Sequence, residues 1–169
     1  MFFISIIVPC KNELGTIDDC IHRLPTFGVP YEVVFVDGHS TDGTWQRVQQ
    51  LAKKYPFVFS IQQTGVGKWN AVMEGFARAT GTLLMILDAD LSVEPELLAR
   101  FYTEARRNPD ALIIGSRFIL PQERGAMRLL NHTGNIFFSW FFSQMLRIPV
   151  TDTLCESIVT GKHRDWETS

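Results

Sequence analysis

The sequence is short of cysteine: three in 169 residues, Cys10, Cys20 and Cys155, odd in number and without CxxC spacing. Neither a disulfide framework nor a zinc site is suggested by that pattern, and a reducing cytosol is the simplest home for the chain. Charge of one sign is missing too, since 16 Lys+Arg stand against 18 Asp+Glu for a formal net charge of -2. No global electrostatic pull toward nucleic acid follows, so nucleic acid is not an expected partner and any bound anion must be gripped locally. His22, His39, His132 and His163 show no metal-ligand spacing to one another. The apolar start, MFFISIIVPCKNE, lacks the basic n-region and small-residue cleavage site of a signal peptide, and reads as a first buried strand. No long uninterrupted apolar run exists either. From Leu129 to Val150 the chain is rich in Phe, Trp and Leu, but Asn131, His132, Asn135, Ser139, Ser143 and Gln144 break it too often for a spanning helix. Such a segment suits lying on a membrane without crossing it.

What is present is an ordinary globular composition, 46% hydrophobic and 20% charged, at the size of one domain. Runs of β-branched and aromatic residues cover Phe3 to Val8, Glu32 to Val36, Leu83 to Leu87 and Ala111 to Gly115, with a weaker one from Phe57 to Ile61. They lack strict alternation, as strands covered on both faces do. Helical spacing fills the intervals: Asn12 to Leu24, Thr41 to Lys54, Lys68 to Ala79, and Pro95 to Arg107 with proline in its first turn. Strand and helix alternate, which predicts an α/β fold, a three-layer α/β/α sandwich around a mostly parallel central sheet.

In open α/β sheets ligands bind beyond the carboxyl ends of the strands. The residues there are Pro9-Cys10-Lys11-Asn12-Glu13, Asp37-Gly38-His39-Ser40, Asp88-Ala89-Asp90 and Ser116-Arg117. If the Leu83 to Leu87 strand continued, Asp88 and Asp90 would point to one side, close enough to share a Mg²⁺ or Mn²⁺ ion that also takes substrate phosphate oxygens. A solvated strand end or a helix-entry turn is the other reading of the same pair. Gly65-Val66-Gly67-Lys68 resembles part of a phosphate loop, but Gln62 and Trp69 occupy positions where the full P-loop needs Gly and Ser or Thr. Glycines leading into a helix can still offer N–H groups to a phosphate; a flexible turn with a surface lysine is the alternative. Arg117, Arg124 and Arg128 suit phosphate or an anionic membrane surface, or are solvated arginines.

Taken in order, these stretches resemble the family 2 glycosyltransferases with the GT-A fold, and within them the polyprenyl-phosphate (dolichol-phosphate mannose synthase-like) branch. IIVPCKNE is similar to the family's first strand and loop, VVFVDGHSTDGT to its VDDGSTDGT, and GVGKWNAVMEGFARATG to its glycine-lysine loop and helix. LLMILDADLSVEPE resembles its metal-binding DxD strand and IIGSRF its GSR strand. The resemblance implies a metal-dependent transferase that uses a nucleotide-sugar donor, a UDP- or GDP-sugar. Pro9, Asn12, Glu13 and Asp37 would lie near base and ribose with Lys68 nearby. Asp88, Ala89 and Asp90 would meet the diphosphate, Asp88, Asp90 and Ser92 would hold Mg²⁺ or Mn²⁺, and Arg117 and Arg128 would meet phosphate charge. Asp88, Asp90 and Arg117 form the implied catalytic set.

Family members that glycosylate hydroxyls carry a base in an acidic motif beyond the matched region, and no such motif is found here. A lipid-phosphate acceptor is therefore expected, already an anion and needing no base. The Phe-rich segment Asn135 to Leu146 resembles an interfacial helix, which implies a peripheral place on the cytoplasmic membrane face; core packing is the other reading. The resemblance departs at Gly38, where the family has an acid, and in the tail SIVTGKHRDWETS. Residues 1–154 are thus expected to be a GT-A domain incomplete at its C-terminus, and 155–169 an atypical tail. A nucleotide-sugar-binding domain without activity, or a sugar-phosphate nucleotidyltransferase, are the competing functions.

Overall fold

The structure, a computed structural model, describes residues 2–108, 113–114 and 158–161. The strands are β1 (Ile4–Cys10), β2 (Tyr31–Asp37), β3 (Val58–Gln62), β4 (Leu83–Ile86), β5 (Ile113–Ile114) and β6 (Ile158–Gly161). The helices are α1 (Asp19–His22), α2 (Thr44–Lys54), α3 (Lys68–Arg78) and α4 (Leu98–Arg107), the last entered through a 3₁₀ turn at Pro95–Leu97. The sheet order is β3-β2-β1-β4-β6-β5. β1 pairs in parallel with β2 and β4, and β2 with β3, while β6 runs antiparallel to β4. The expected α/β architecture with a mostly parallel sheet is what the chain forms.

Burial on both faces explains the missing alternation. Every residue of β1 and β4 is buried, and every residue of β2 after Tyr31. One face carries Ile4, Ile6 and Val8 of β1 with Val33 and Phe35 of β2, packed against Ile17, Cys20, Val48, Leu51, Leu98, Tyr102 and Ala105 from α1, α2 and α4 and their approaches. The other face carries Ile7, Val34, Val36 and Leu84, covered by Ala71, Phe76 and Ala79 of and next to α3. Each fully buried Ile, Leu or Phe contributes roughly 1.5–3 kcal/mol of transfer free energy, so the two faces together are the main stabilising term.

Several expected boundaries are corrected. The helix predicted over Asn12 to Leu24 is regular only over Asp19–His22. Ahead of it, side chains of the neighbouring loop capture the backbone: Ser40 Oγ accepts from Asn12 N, Thr44 Oγ1 from Glu13 N and Asp42 Oδ2 from Leu14 N. With Asn12 at φ 58, helical geometry is also excluded there. The helix expected from Thr41 begins at Thr44, because Gly43 adopts φ 101 and Asp42 Oδ1 accepts from both Thr44 N and Thr44 Oγ1. β4 stops at Ile86, one residue early. β6 lies in the tail, which carried no recognisable signal. Of the predicted strand Ala111 to Gly115 only Ile113 and Ile114 are described, and both are extended. The Asn135 to Leu146 segment lies outside the described residues. Among the described residues no helix is long and apolar enough to cross a membrane.

Candidate functional site

The parallel strands β1, β2 and β4 end at one edge, and there the chain turns sharply. Asn12, His39 and Leu91, one after each strand, are the non-glycine residues with φ near +57° among those described, at 58, 58 and 56. Left-handed backbone at a branched residue such as Leu91 is uncommon and is held only where surrounding structure imposes it. The loops enclose a cleft of about 310 Å³. Pro9, Lys11 and Glu13 line it from the β1 loop, Gly67 and Lys68 from the start of α3, and Asp88, Ala89 and Asp90 from the end of β4.

Asp88 and Asp90 do not share a strand face as expected. β4 has ended, and a turn closed by Leu91 N donating to Asp88 O separates them. Asp88 is consequently buried and Asp90 exposed, yet both open on the cleft. Lys68 Nζ donates to Asp88 Oδ2 at 2.5 Å. Asp90 Oδ1 accepts from Ser92 N at 3.0 Å and from Ser92 Oγ at 2.5 Å, and Ser92, which is not among the residues lining the cleft, thereby fixes the Asp90 carboxylate. Crowding of carboxylates is felt at Glu13: partial burial pushes its carboxyl above the usual range, and Asp90, Asp42 and Asp88 add to the rise.

Asp37 is fully buried beneath the loops. Its Oδ2 accepts from Ser40 N at 3.1 Å and Gln62 Nε2 at 3.2 Å, and its Oδ1 has no hydrogen-bond partner among the described residues. Asn12 uses its side chain between loops, with Oδ1 accepting from Thr41 N at 2.8 Å. Gly38, where the resemblance leads one to expect an acid, lies so close to the Lys11 stem that an added Cβ would sit 3.3 Å from Lys11 Cβ and Cδ. The glycine makes room for a lysine facing the cleft. In the glycine-rich loop the Gly65 amide is already taken by Asn70 Oδ1 at 3.1 Å, and Glu74 accepts from Thr64 N and Oγ1. Arg117 and Arg128 lie outside the described residues.

Sequence reasoning overlooked Gln63, which is buried, lines the cleft and donates its backbone N–H to Asp37 O at 3.0 Å. The signal was partial: Gln62 holds the strand-end position after the weaker Phe57 to Ile61 run that Asp37 holds after its own, pairing with it in register, and Gln63 is the next residue. Cys10 also lines the cleft, but burial, then the Asp37 charge, pushes its thiol far up, and burial pushes Cys20 up to about 12, so neither is a thiolate nucleophile.

The donor set is hard oxygen. Among the described residues no group of three or more His, Cys, Asp or Glu is placed to hold a metal ion unaided. Mg²⁺ commonly takes one or two carboxylates and completes its shell with water and phosphate, so Asp88 and Asp90 fit such an ion when a diphosphate supplies the remaining oxygens.

Comparison with known proteins is consistent with this layout. A family model, Glycosyl transferase family 2, matches residues 5–161. The chain is 35% identical over 118 residues to a dolichol-phosphate mannosyltransferase of Pyrococcus furiosus, covering 69% of this chain and 33% of the relative. It is 30% identical over 136 residues to an undecaprenyl-phosphate 4-deoxy-4-formamido-L-arabinose transferase of Pseudomonas fluorescens, covering 76% and 40%. The chain therefore spans about a third to two fifths of the length of these curated relatives. Among solved structures it is similar to the mannosyltransferase PcManGT of Pyrobaculum calidifontis in complex with GDP-Man and Mn²⁺, with TM-score 0.56, 29% identity, and 67% and 35% coverage. The S. aureus TarS structure, TM-score 0.55 at 21% identity over 73% of this chain and 40% of that one, shares the fold.

Proposed function

This chain belongs to glycosyl transferase family 2, and from that premise we propose that it serves transfer of a sugar from a nucleoside-diphosphate donor to a lipid phosphate. The observation that carries the reading is the convergence of Glu13, Lys68, Asp88 and Asp90 on one cleft at the ends of parallel strands. Pro9, Asn12, Glu13, Asp37 and Gln63 are assigned to the nucleoside end. Asp88 and Asp90 are assigned as ligands of Mg²⁺ or Mn²⁺, with Ser92 holding Asp90 in place, and Lys68 as the cation facing diphosphate. Arg117 and Arg128 are assigned to phosphate charge on the family resemblance alone. Bound at the two aspartates, the ion supplies electrostatic stabilisation of the charge that develops on the leaving diphosphate.

For the chain's own residues, the step is one of binding and charge placement. Breaking the sugar–phosphate bond leaves the bonding electrons on the diphosphate, and the acceptor phosphate oxygen forms the new bond to the sugar. A phosphate acceptor arrives ionised, so no side chain has to remove a proton. Two relatives named for dolichol-phosphate and undecaprenyl-phosphate substrates support a lipid-phosphate acceptor.

The test incubates the protein with Mn²⁺, radiolabelled GDP- and UDP-sugars and polyprenyl phosphate, and separates labelled lipid. Label transfer that disappears in Asp90→Asn supports the reading. Metal-dependent nucleotide binding with no labelled lipid from any donor would reduce the function to donor binding and sink the transferase proposal for this chain.

A further inference from the structure

Lys68 and Asp88 are unequal partners. The Asp88 side chain is 8% exposed, whereas that of Lys68 is 58% exposed. Asp88 is one residue past Leu87, whose amide is bonded to Ile7 O of the central strand β1, so the carboxylate has little freedom to move. Lys68 is the first residue of α3 and carries its ammonium on a flexible four-carbon stem over the cleft. A buried carboxylate that opens on a cleft is costly without a cationic partner, and the ammonium supplies one from within the chain.

The same carboxylate is assigned above to a divalent ion. An ammonium and a divalent cation on one carboxylate repel each other across a few ångströms of only partly screening surroundings. A diphosphate entering the cleft changes the balance, because its oxygens accept the ammonium in a charge-assisted hydrogen bond and also complete the shell of the ion.

We infer that Lys68 is an exchangeable counter-ion: it neutralises Asp88 while the cleft holds no donor, and passes to the diphosphate when ion and nucleotide enter together. Ion and nucleotide then bind synergistically, because each removes a penalty the other faces. The inference rests on the assignment of Asp88 and Asp90 as metal ligands. Lys68 is on this view a positioning residue with a sign that a merely structural lysine does not have. Removing its charge strengthens binding of the ion alone and weakens binding of the nucleotide alone.

The test uses Lys68→Gln, close in length and uncharged, with Lys68→Arg as the variant that keeps the charge. Free Mn²⁺ is counted by electron paramagnetic resonance at fixed ionic strength, first without nucleotide and then with saturating GDP or UDP. Nucleotide binding in EDTA is measured by calorimetry. For a charge-assisted bond partly screened by solvent, Lys68→Gln is expected to bind Mn²⁺ alone about three- to tenfold more tightly and nucleotide alone weaker by a similar factor. The enhancement of Mn²⁺ binding by nucleotide should shrink accordingly, and Lys68→Arg should resemble the parent. If Lys68→Gln binds Mn²⁺ no tighter while Asp90→Asn abolishes binding, the counter-ion role is overturned and the metal assignment survives. If both ligands weaken in Lys68→Gln, the lysine is structural and the inference fails. Absence of Mn²⁺ binding in every protein, with and without nucleotide, overturns the metal assignment and the inference together.

Discussion

Gly75→Ala should destabilise the protein, although alanine in a helix interior ordinarily gains about 1 kcal/mol over glycine. Gly75 faces the sheet from the second half of α3, and a Cβ there would lie 2.3 Å from Ile7 Cγ2 and 3.2 Å from Val36 Cγ2. Carbon atoms in van der Waals contact sit about 3.5–4.0 Å apart, so something must yield by about 1.5 Å. Ile7 is fully buried on β1, which is paired to β2 on one side and β4 on the other. Its β-branched side chain is stiff at χ1 and has no space to rotate into. The helix therefore has to lift, loosening Ala71 and Ala79 from the same face. A clash of this depth against a stiff side chain lies in the upper part of the about 1–3 kcal/mol that overpacking costs, at about 2–3 kcal/mol, so after subtracting the propensity gain of about 1 kcal/mol the net loss is about 1–2 kcal/mol. With a urea m-value of about 2 kcal/mol/M, the unfolding midpoint should fall by roughly 0.5–1 M. Because α3 begins at Lys68, nucleotide binding should weaken in parallel. A Gly75→Ala protein as stable as the parent, or more stable, would refute the claim that the helix makes its closest approach to the sheet at this glycine.

The opposite end of the sheet supplies a control. Glu32 Oε1 accepts from Ser5 Oγ, Thr80 N and Thr80 Oγ1, and Ser5 Oγ accepts from Gly81 N, so Glu32→Gln should lose about 1–2 kcal/mol in urea unfolding with nucleotide affinity unchanged. Asp42→Ala removes the carboxylate that joins Leu14 N to Thr44, and should lower both the urea midpoint and nucleotide affinity, since Glu13 sits next to that joint. Unchanged affinity would show that the loop is held by other means. Acid should destabilise the fold. Arg47 holds the Asp18 carboxyl below its usual range, Thr44 does so for Asp42, Thr64 for Glu74 and Arg23 for Glu96. Carboxyls depressed in the folded state contribute stability above their unfolded pKa and lose it as pH falls through the folded one, while Glu13, raised by burial, has the opposite sign. The urea midpoint should therefore drop between about pH 5 and pH 3, and Glu74→Gln should flatten that drop; a flat parent profile would contradict the four depressed groups.

Much of this protein is legible from residue order alone. Runs such as Ile4 to Val8 and Val33 to Val36 are apolar at both parities, which only a strand covered on two faces tolerates, and helical spacing between them dictates a layered α/β fold. The polar residues that follow each run mark the edge where the cleft forms, so Glu13, Lys68, Asp88 and Asp90 could be nominated without coordinates. Local pattern fails where distant side chains fix the path of the backbone, as they do around Asn12 at φ 58. The stretch after Asn12 has helical spacing but gives its first amides to Ser40, Thr44 and Asp42, about thirty positions away in sequence. It fails equally where pairing is long-range, as for β6, whose four residues are too few to show a period and which acquires strand geometry by pairing with β4, more than seventy positions away in sequence. The pair Asp88 and Asp90 shows the division within a single motif. Residue order supplied two carboxylates at a strand end; the turn after Ile86 buried one, exposed the other and set Lys68 on the buried one, because only the packed sheet brings the start of α3 over the end of β4.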